Sequence, residues 1–256
     1  MIFDTHAHYD DSAFDEDRDA LLEEIFSSGI CYITDVGASV ESSKKATELS
    51  MKWPGMYAAV GVHPDSTANM KENDIETLRK LALCPKVVAI GEIGLDYYWD
   101  NAPREVQKKW FVRQLDLARE LNLPVIIHSR EAAQDTMDIM KEAVKQGSKG
   151  VIHCYSYSAQ MAKEYVSMGF YIGVGGVVTF KNARVIKEVA EEIPLSSIVL
   201  ETDSPYLAPV PYRGKRNNSS YLNKVVNQLA EIKGVSEETV IKTTFENALK
   251  LYRLEK

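Results

Sequence analysis

All five histidines of the chain stand where a predicted β-strand runs into a loop, and two acidic residues share that position. Histidine that serves only to fill a core would be scattered over helices and surface. Imidazoles and carboxylates gathered at one edge of a sheet are typical of a site for divalent metal ions. The residues in question are His6, His8, His63, Glu92, His128, His153 and Asp203.

The His-x-His pair near the start of the chain is the strongest local signal. Side chains in a strand alternate between its two faces, so His6 and His8 point the same way and can bind one cation. For so short a motif, the plain alternative is one packed and hydrogen-bonded histidine. With His128 and His153 at two further strand ends, chance becomes a poor explanation, and we interpret all four as metal ligands.

Two carboxylates, Glu92 and Asp203, are predicted to be both metal ligands and catalytic groups. Glu92 has two oxygens that can bridge two cations, although a buried ion pair with Arg130 is an alternative. Asp203 follows the last predicted strand, where a carboxylate can contact a cation and accept a proton from water as general base. Glu201 shares its face one layer deeper and is interpreted as support for the ligands. For Asp96, capping the loop that follows is at least as good an interpretation as a catalytic role.

These residues are positioned by eight short β-rich runs that alternate with segments of helical periodicity. The predicted strands are Ile2–His6, Cys31–Val36, Met56–His63, Val87–Glu92, Pro124–His128, Gly150–His153, Phe170–Val174 and Ile198–Asp203. The predicted helices between them are Asp17–Ser28, Val40–Met51, Ile75–Leu83, Glu105–Leu121, Ala132–Val144, Ala159–Ser167 and Ala183–Glu192. Two more helices follow near Tyr221–Ile232 and Glu237–Leu254, with Gly234 as a stop and Ser236 as a cap.

Eight β–α units in 256 residues predict an α/β fold of the (β/α)8 TIM-barrel type. We expect a single domain over residues 1–256 with extra C-terminal helices, because no linker-like stretch divides the chain. The ends of barrel strands that carry the predicted ligands form the active-site rim of this fold. An open doubly wound sheet is the alternative, but it requires a glycine-rich phosphate loop whose spacing is missing.

The composition limits the classes of function. The chain is 45% hydrophobic and 26% charged, as expected for a soluble globular protein, and has no apolar run of the ~18 residues that a membrane span needs. A net charge of −7 argues against a general nucleic-acid-coating surface but not against a nuclease, since bound cations add positive charge. Three cysteines without CxxC spacing and a start without a secretory signal predict a cytoplasmic protein.

Six sequence blocks, in order, resemble the TatD family of metal-dependent deoxyribonucleases, within the amidohydrolase superfamily. They are DTHAH (4–8), GVHP (61–64), GEIGLDYY (91–98), LPVIIHSRE (123–131), HCYS (153–156) and ETDSPYLAP (201–209) followed by RGKRN (213–217). The similarity runs from residue 4 to about residue 250. It implies a TIM barrel that hydrolyses phosphodiester bonds of DNA with a water activated by two divalent cations.

The resemblance also implies which residues hold each ion. The first ion is held by residues matching His6, His8, Glu92 and Asp203. The second is held by residues matching Glu92, His128 and His153. Mixed imidazole and carboxylate ligands do not select among Mg²⁺, Mn²⁺ and Zn²⁺.

Substrate contacts are expected from four further residues. His63 matches a position near the substrate phosphate and is expected to bind substrate instead of metal. Arg130 suits an anion, and Tyr155 and Arg213 are expected to steady phosphate oxygens with it. No aromatic-plus-basic array in the sequence marks a long single-strand track.

The chain departs from the family pattern at three places. Tyr157 stands where a small glycine is more common, and Asp65 stands where histidine is common; both put substrate preference in doubt. Asn218–Ser220 replaces a Glu-Pro-Ala-like run, and Ser219 is expected to cap the helix that follows.

Two other functions remain open from the residues. One is hydrolysis of an amide, lactone or small phosphoester by another type of amidohydrolase, many of which carry a modified lysine where Glu92 stands. The other is a non-catalytic barrel that binds nucleic acid or protein, although an intact ligand set disfavours it. DNA against RNA, and exonuclease against endonuclease action, are not decided by the sequence.

Overall fold

The computed structural model describes residues 1–255; Lys256, the last residue of the predicted domain, lies outside the described residues. The strands are β1 (Ile2–Ala7), β2 (Ile30–Val36), β3 (Met56–Val60), β4 (Val87–Asp96), β5 (Val125–Arg130), β6 (Gly150–Ile152), β7 (Tyr171–Val174) and β8 (Ile198–Leu200). The helices are α1 (Arg18–Ser27), α2 (Val40–Lys52), α3 (Glu72–Leu81), α4 (Arg104–Glu120), α5 (Ala133–Lys145), α6 (Ala159–Ser167), α7 (Arg184–Glu192), α8 (Leu222–Lys233) and α9 (Glu237–Leu251).

The eight strands form one sheet whose order follows the chain, β1 to β8, as in a nearly closed (β/α)8 barrel. This confirms the predicted fold class, because a doubly wound sheet reverses its strand order at a switch point. Each of the first seven strands is followed by a helix, and β8 is followed by two, α8 and α9. Between these two, Gly234 ends α8 in the left-handed conformation (φ 63) and Ser236 caps α9 by accepting the N–H of Thr239. Across residues 1–255, none of the helices has the length and hydropathy of a transmembrane segment.

Several strand ends differ from the predicted ones. Glu92 lies within β4 instead of at its end, because pairing of β4 with β5 continues to the register pair Asp96 and Arg130. The strands β3 and β8 end three residues before His63 and Asp203, so both side chains are placed by loop conformation. Strand periodicity alone therefore does not determine where these two side chains point.

The chain divides into two compact units, the terminal unit (residues 1–35 and 154–256) and the central unit (36–153). In the terminal unit, α9 holds the first strand: the Tyr252 hydroxyl donates to the carbonyl oxygen of Thr5 at 2.7 Å. The Phe3 ring packs against Phe245 and Tyr252, with ring centroids 6.5 and 5.6 Å away. These contacts hold β1, the strand that carries His6, in place.

In the central unit, two buried glutamines on one face of α4 hold the backbone near the predicted site. The Gln107 side chain accepts the N–H of Asp96 at 2.8 Å and donates to its carbonyl oxygen at 3.0 Å. Gln114 does the same for Val62, at 2.7 and 3.1 Å. Each amide satisfies both backbone groups of its residue, so α4 fixes the backbone at the end of β4 and just after β3.

Candidate metal clusters

The terminal cluster consists of His6, His8 and Asp203. The Nε2 atoms of the two histidines lie 3.1 Å apart, as expected from their shared strand face. Asp203 Oδ1 lies 3.3 Å from Nε2 of His8 and 3.8 Å from Nε2 of His6. Two nitrogens bound to one cation at ~2.05 Å in tetrahedral geometry are about 3.3 Å apart. The donor set therefore fits a divalent cation after only small movements.

Asp203 faces the histidines because the chain turns sharply after β8. Its φ is 59, a left-handed conformation that aspartate adopts more readily than most residues. Its N–H donates to the His6 carbonyl oxygen at 2.9 Å, and its own carbonyl accepts the N–H of Tyr206 at 2.8 Å. Asp203 is thus anchored to β1 through its backbone, so that its carboxylate remains available for a cation.

Glu201 supports the backbone of the terminal unit. It is buried, and its Oε1 accepts the N–H of Cys154 at 2.6 Å. A Cβ on Gly173 would lie 2.3 Å from Glu201 Oε2, so only glycine leaves room for this carboxylate. Because β8 ends at Leu200, Glu201 and Asp203 are placed by the loop that follows the strand and not by strand pairing.

A fully buried carboxylate, Asp4, is hydrogen-bonded to the backbone of His6, a member of the terminal cluster. Its Oδ2 accepts the hydroxyls of Ser219 and Thr202 at 2.6 and 2.7 Å. Its Oδ1 accepts the backbone N–H of Thr202 at 3.0 Å and that of His6 at 3.3 Å. Burial raises the pKa of Asp4 to about 7, and these hydrogen bonds only partly offset that effect. Asp4 thus ties the backbone beside the first ligand to the segment that ends in Asp203.

Replacing Asp4 by alanine is expected to lower the free energy of unfolding by about 3 kcal/mol or more, since several buried donors lose their acceptor. Urea unfolding of the metal-free chain, followed by circular dichroism, measures the change. Ser219→Ala is the matched comparison, because it removes one donor of the same network and should cost about 1–2 kcal/mol. Equal stability of the two variants would contradict this role for Asp4.

Ser219 was expected to cap a helix, and the structure corrects this. Asn218 is the cap of the 3-10 turn Ser219–Tyr221, with its side chain accepting the N–H of Ser220. The Ser219 hydroxyl instead lies between Asp4 and the hydroxyl of Tyr9, which is 2.8 Å away.

The central cluster is arranged around one oxygen of Glu92, a buried residue of β4. Oε1 lies 2.8 Å from His128 Nδ1, 3.6 Å from His153 Nε2 and 3.9 Å from His63 Nε2. A carboxylate oxygen with several imidazole nitrogens so close fits a cation of the zinc or manganese type. The structure thus brings together the three predicted ligands of the central unit, Glu92, His128 and His153.

The close approach of β4 and β5 at this cluster requires Gly94. Its φ is +149, and a Cβ there would lie 1.9 Å from the carbonyl oxygen of His128. No residue with a side chain fits this space without moving the backbone that carries His128. This explains the second glycine of the Gly-Glu-Ile-Gly segment.

His128 is held between two carboxylates, with Nδ1 on Glu92 and Nε2 3.0 Å from Asp96 Oδ2. Burial disfavours the charged ring, but the hydrogen bonds to Asp96 and Glu92 outweigh it and raise the pKa of His128 to about 9. A carboxylate on one nitrogen is the usual way in which proteins orient a histidine ligand. Asp96 also caps its loop as expected, since its Oδ1 accepts the N–H groups of Tyr98 and Trp99.

His63 lies in the central cluster, with Nε2 3.9 Å from Glu92 Oε1. Its Nδ1 accepts the N–H of Asp65 at 3.2 Å, so the proton of the neutral ring lies on Nε2. This Nε2–H is the atom nearest Glu92 and can donate a hydrogen bond to an anionic oxygen. The expected contact of His63 with phosphate stays a prediction.

The other expected substrate residues have different environments. The exposed Arg130 guanidinium lies 3.9 Å from the ring centre of Tyr98, and exposed Arg213 lies 4.2 Å from that of Phe180. Tyr155 is buried, and its hydroxyl donates to the carbonyl oxygen of Ser158 at 2.8 Å. This hydrogen bond supports the start of α6, and the expected contact of Tyr155 with phosphate stays a prediction.

Comparison with known proteins gives a consistent picture. The family model described as TatD related DNase matches residues 3–253. The chain is 42% identical to the "Uncharacterized metal-dependent hydrolase YabD" of Bacillus subtilis, over 99% of this chain and 100% of that protein. It is 30% identical to the "3'-5' ssDNA/RNA exonuclease TatD" of Escherichia fergusonii, over 98% of each.

Solved structures agree with the sequence comparisons. The TatD homologue YJJV of Escherichia coli superposes with a TM-score of 0.93 at 30% identity, covering 99% of this chain and 98% of that one. A TatD family hydrolase of Entamoeba histolytica superposes with a TM-score of 0.89 at 25% identity, covering 98% and 97%.

Proposed function

Because the chain belongs to the TatD-related DNase family of metal-dependent hydrolases, we propose that it hydrolyses phosphodiester bonds in DNA with two divalent cations. The observation that supports this most directly is the presence of a histidine–carboxylate cluster in each unit. Ligand atoms of His6, His8 and Asp203 lie within 4.8 Å of one another, and so do those of His63, Glu92 and His128.

We assign one cation to each cluster. His6, His8 and Asp203 hold the first, and Glu92, His128 and His153 hold the second. Divalent cations in such a site lower the pKa of water and neutralise the charge that develops on a phosphate. The family resemblance also predicts that Glu92 binds the first cation, and this stays a prediction.

The side chains supply the remaining chemistry. Asp203 orients the attacking water and takes its proton, since it is the carboxylate of the terminal cluster and stays partly exposed. His63 donates its Nε2–H to a phosphate oxygen, and Arg130 and Arg213 contribute positive charge. Both guanidinium carbons lie over aromatic rings, 3.9 Å and 4.2 Å from the ring centres, and their N–H groups are the donors that suit phosphate oxygens.

The ligand types bear on the metal, the relatives on the substrate, and the cysteines on the cellular location. We propose that Mn²⁺ or Mg²⁺ supports turnover and that Zn²⁺ binds through its preference for imidazole. RNA is an alternative substrate, since one relative carries an ssDNA/RNA exonuclease name. We propose a cytoplasmic location because none of the three cysteines forms a disulfide among the described residues.

Removing the cations is expected to abolish hydrolysis, and adding Mn²⁺ or Mg²⁺ is expected to restore it. An end-labelled oligonucleotide, supplied as single strand and as duplex, is incubated with chelator-treated protein before and after metal addition, and the products are separated by length. A ladder that shortens from one end indicates an exonuclease. Cleavage of simple amides or lactones with DNA left intact under every metal would favour the amidohydrolase alternative instead.

A further inference from the structure

Two neighbouring aromatic side chains are exposed on the loop that follows β4. Tyr98 is 50% exposed and Trp99 is 58% exposed. Their rings meet edge to face, with centroids 5.0 Å apart and planes at 85°. Large aromatic rings gain free energy when they are covered, so a pair held in water is a candidate binding surface.

A cation from the neighbouring strand lies on this surface. The Arg130 guanidinium stands 3.9 Å from the ring centre of Tyr98 and 5.7 Å from that of Trp99. The parallel register places Arg130 opposite Asp96, directly before the aromatic loop. Flat aromatic faces combined with an arginine suit a ligand that has planar bases and a negatively charged backbone.

The aromatic loop is fixed in place and connected to the central cluster. One oxygen of Asp96 accepts the N–H groups of both Tyr98 and Trp99, each at 2.9 Å. The other oxygen lies 3.0 Å from Nε2 of His128, a proposed metal ligand. Gln107 holds the backbone of Asp96 from α4. A single carboxylate thus sets the position of the rings relative to the proposed metal ligand.

We propose that Tyr98, Trp99 and Arg130 form an aromatic platform on which an unpaired nucleobase stacks beside the central cluster. The proposal rests on the proposed function and adds how the substrate is recognised. Stacking uses the face of a base, so the platform accepts any of the four bases but requires that one be present. A paired base within a duplex is covered on both faces, so the platform favours bases that are unstacked.

Equilibrium binding of a nuclease-resistant ligand tests the platform. The probe is a fluorescein-labelled oligothymidylate with phosphorothioate linkages, and its comparison has the same backbone with abasic tetrahydrofuran residues. We expect the wild-type protein, loaded with Mn²⁺, to prefer the base-containing strand by roughly tenfold to a hundredfold. Trp99→Ala is expected to lose most of this preference, and Trp99→Phe, which keeps a ring, is expected to retain it.

Leu83→Ala is the matched control. Leu83 is 73% exposed and precedes β4, whereas Trp99 follows it, so the control removes exposed apolar surface from the opposite end of the strand. It should leave the preference unchanged. Circular dichroism checks that each variant is folded, and gel analysis checks that the probe stays intact.

The outcomes separate the platform from the proposed function. If unmodified DNA is never cleaved but the base preference depends on Trp99, the platform stands and the nuclease proposal fails. If DNA is cleaved and Trp99→Ala keeps the full preference, the platform is wrong. Equal binding of the two wild-type probes, or no measurable binding of either, also overturns it, and would leave the rings as a surface for a protein partner.

Discussion

Asp203→Asn is expected to reduce DNA hydrolysis by about 1,000-fold or more while leaving the fold and the binding of substrate nearly unchanged. Asn tolerates the left-handed conformation that Asp203 adopts (φ 59), so the turn that anchors it to His6 should persist. The neutral amide cannot accept the proton of the attacking water and is a weaker ligand for the cation beside His8. The expected change is therefore mainly in kcat, measured by steady-state hydrolysis of a labelled oligonucleotide.

A surface carboxylate of the same unit provides the control. Asp15 is exposed and pairs with Arg18 at 2.5 Å, so Asp15→Asn removes the same charge without touching the cluster. This variant should keep wild-type turnover. Normal kcat for Asp203→Asn, in a preparation free of contaminating nuclease, would remove Asp203 from the proposed mechanism. The cation content of the variant, measured in parallel, shows whether hydrolysis slows because a metal ion is lost or because the general base is lost.

The parts of the site that were predictable are those governed by strand geometry. Alternation along β1 places His6 and His8 on one face, and their Nε2 atoms do meet, at 3.1 Å. The barrel prediction was also reliable, because eight β–α units leave few other folds of this size. Where a ligand lies three residues beyond the end of a strand, as Asp203 does, alternation gives no information. Asp203 reaches its position through a left-handed turn, which the sequence does not specify.

The interactions that sequence reasoning missed join residues far apart in the chain. Arg130 and Tyr98 stack because β4 extends to Asp96 and pairs with β5 there, but the predicted strand ended at Glu92. Ser219 looked like a helix cap because its local sequence allows it, yet its hydroxyl binds the buried carboxylate of Asp4. In both cases the side chain binds a residue that is distant in the sequence. The distant partner gives a better interaction than the backbone beside the side chain does.

Glu92→Gln is expected to be as damaging as any single change in the central unit. Glu92 Oε1 lies within 3.9 Å of nitrogens from three histidines, so under the proposed assignment its negative charge draws the second cation to them. Glutamine has nearly the same shape but no charge, and an amide oxygen is a weaker ligand. We expect the bound cations per chain to fall from two to at most one, and DNA hydrolysis to fall by about 1,000-fold.

Metal analysis after dialysis against a limiting concentration of Mn²⁺ measures the number of bound cations. The oligonucleotide assay measures DNA hydrolysis. Glu105→Gln is the control, because Glu105 is an exposed carboxylate of the same unit that pairs with the surface residue Lys108. If Glu92→Gln retained two tightly bound cations, the carboxylate would not be a ligand. The buried Glu92 would then have to be explained by its hydrogen bond to His128. If instead a cation is lost and His128→Ala loses it as well, the two side chains act on the same ion, as proposed.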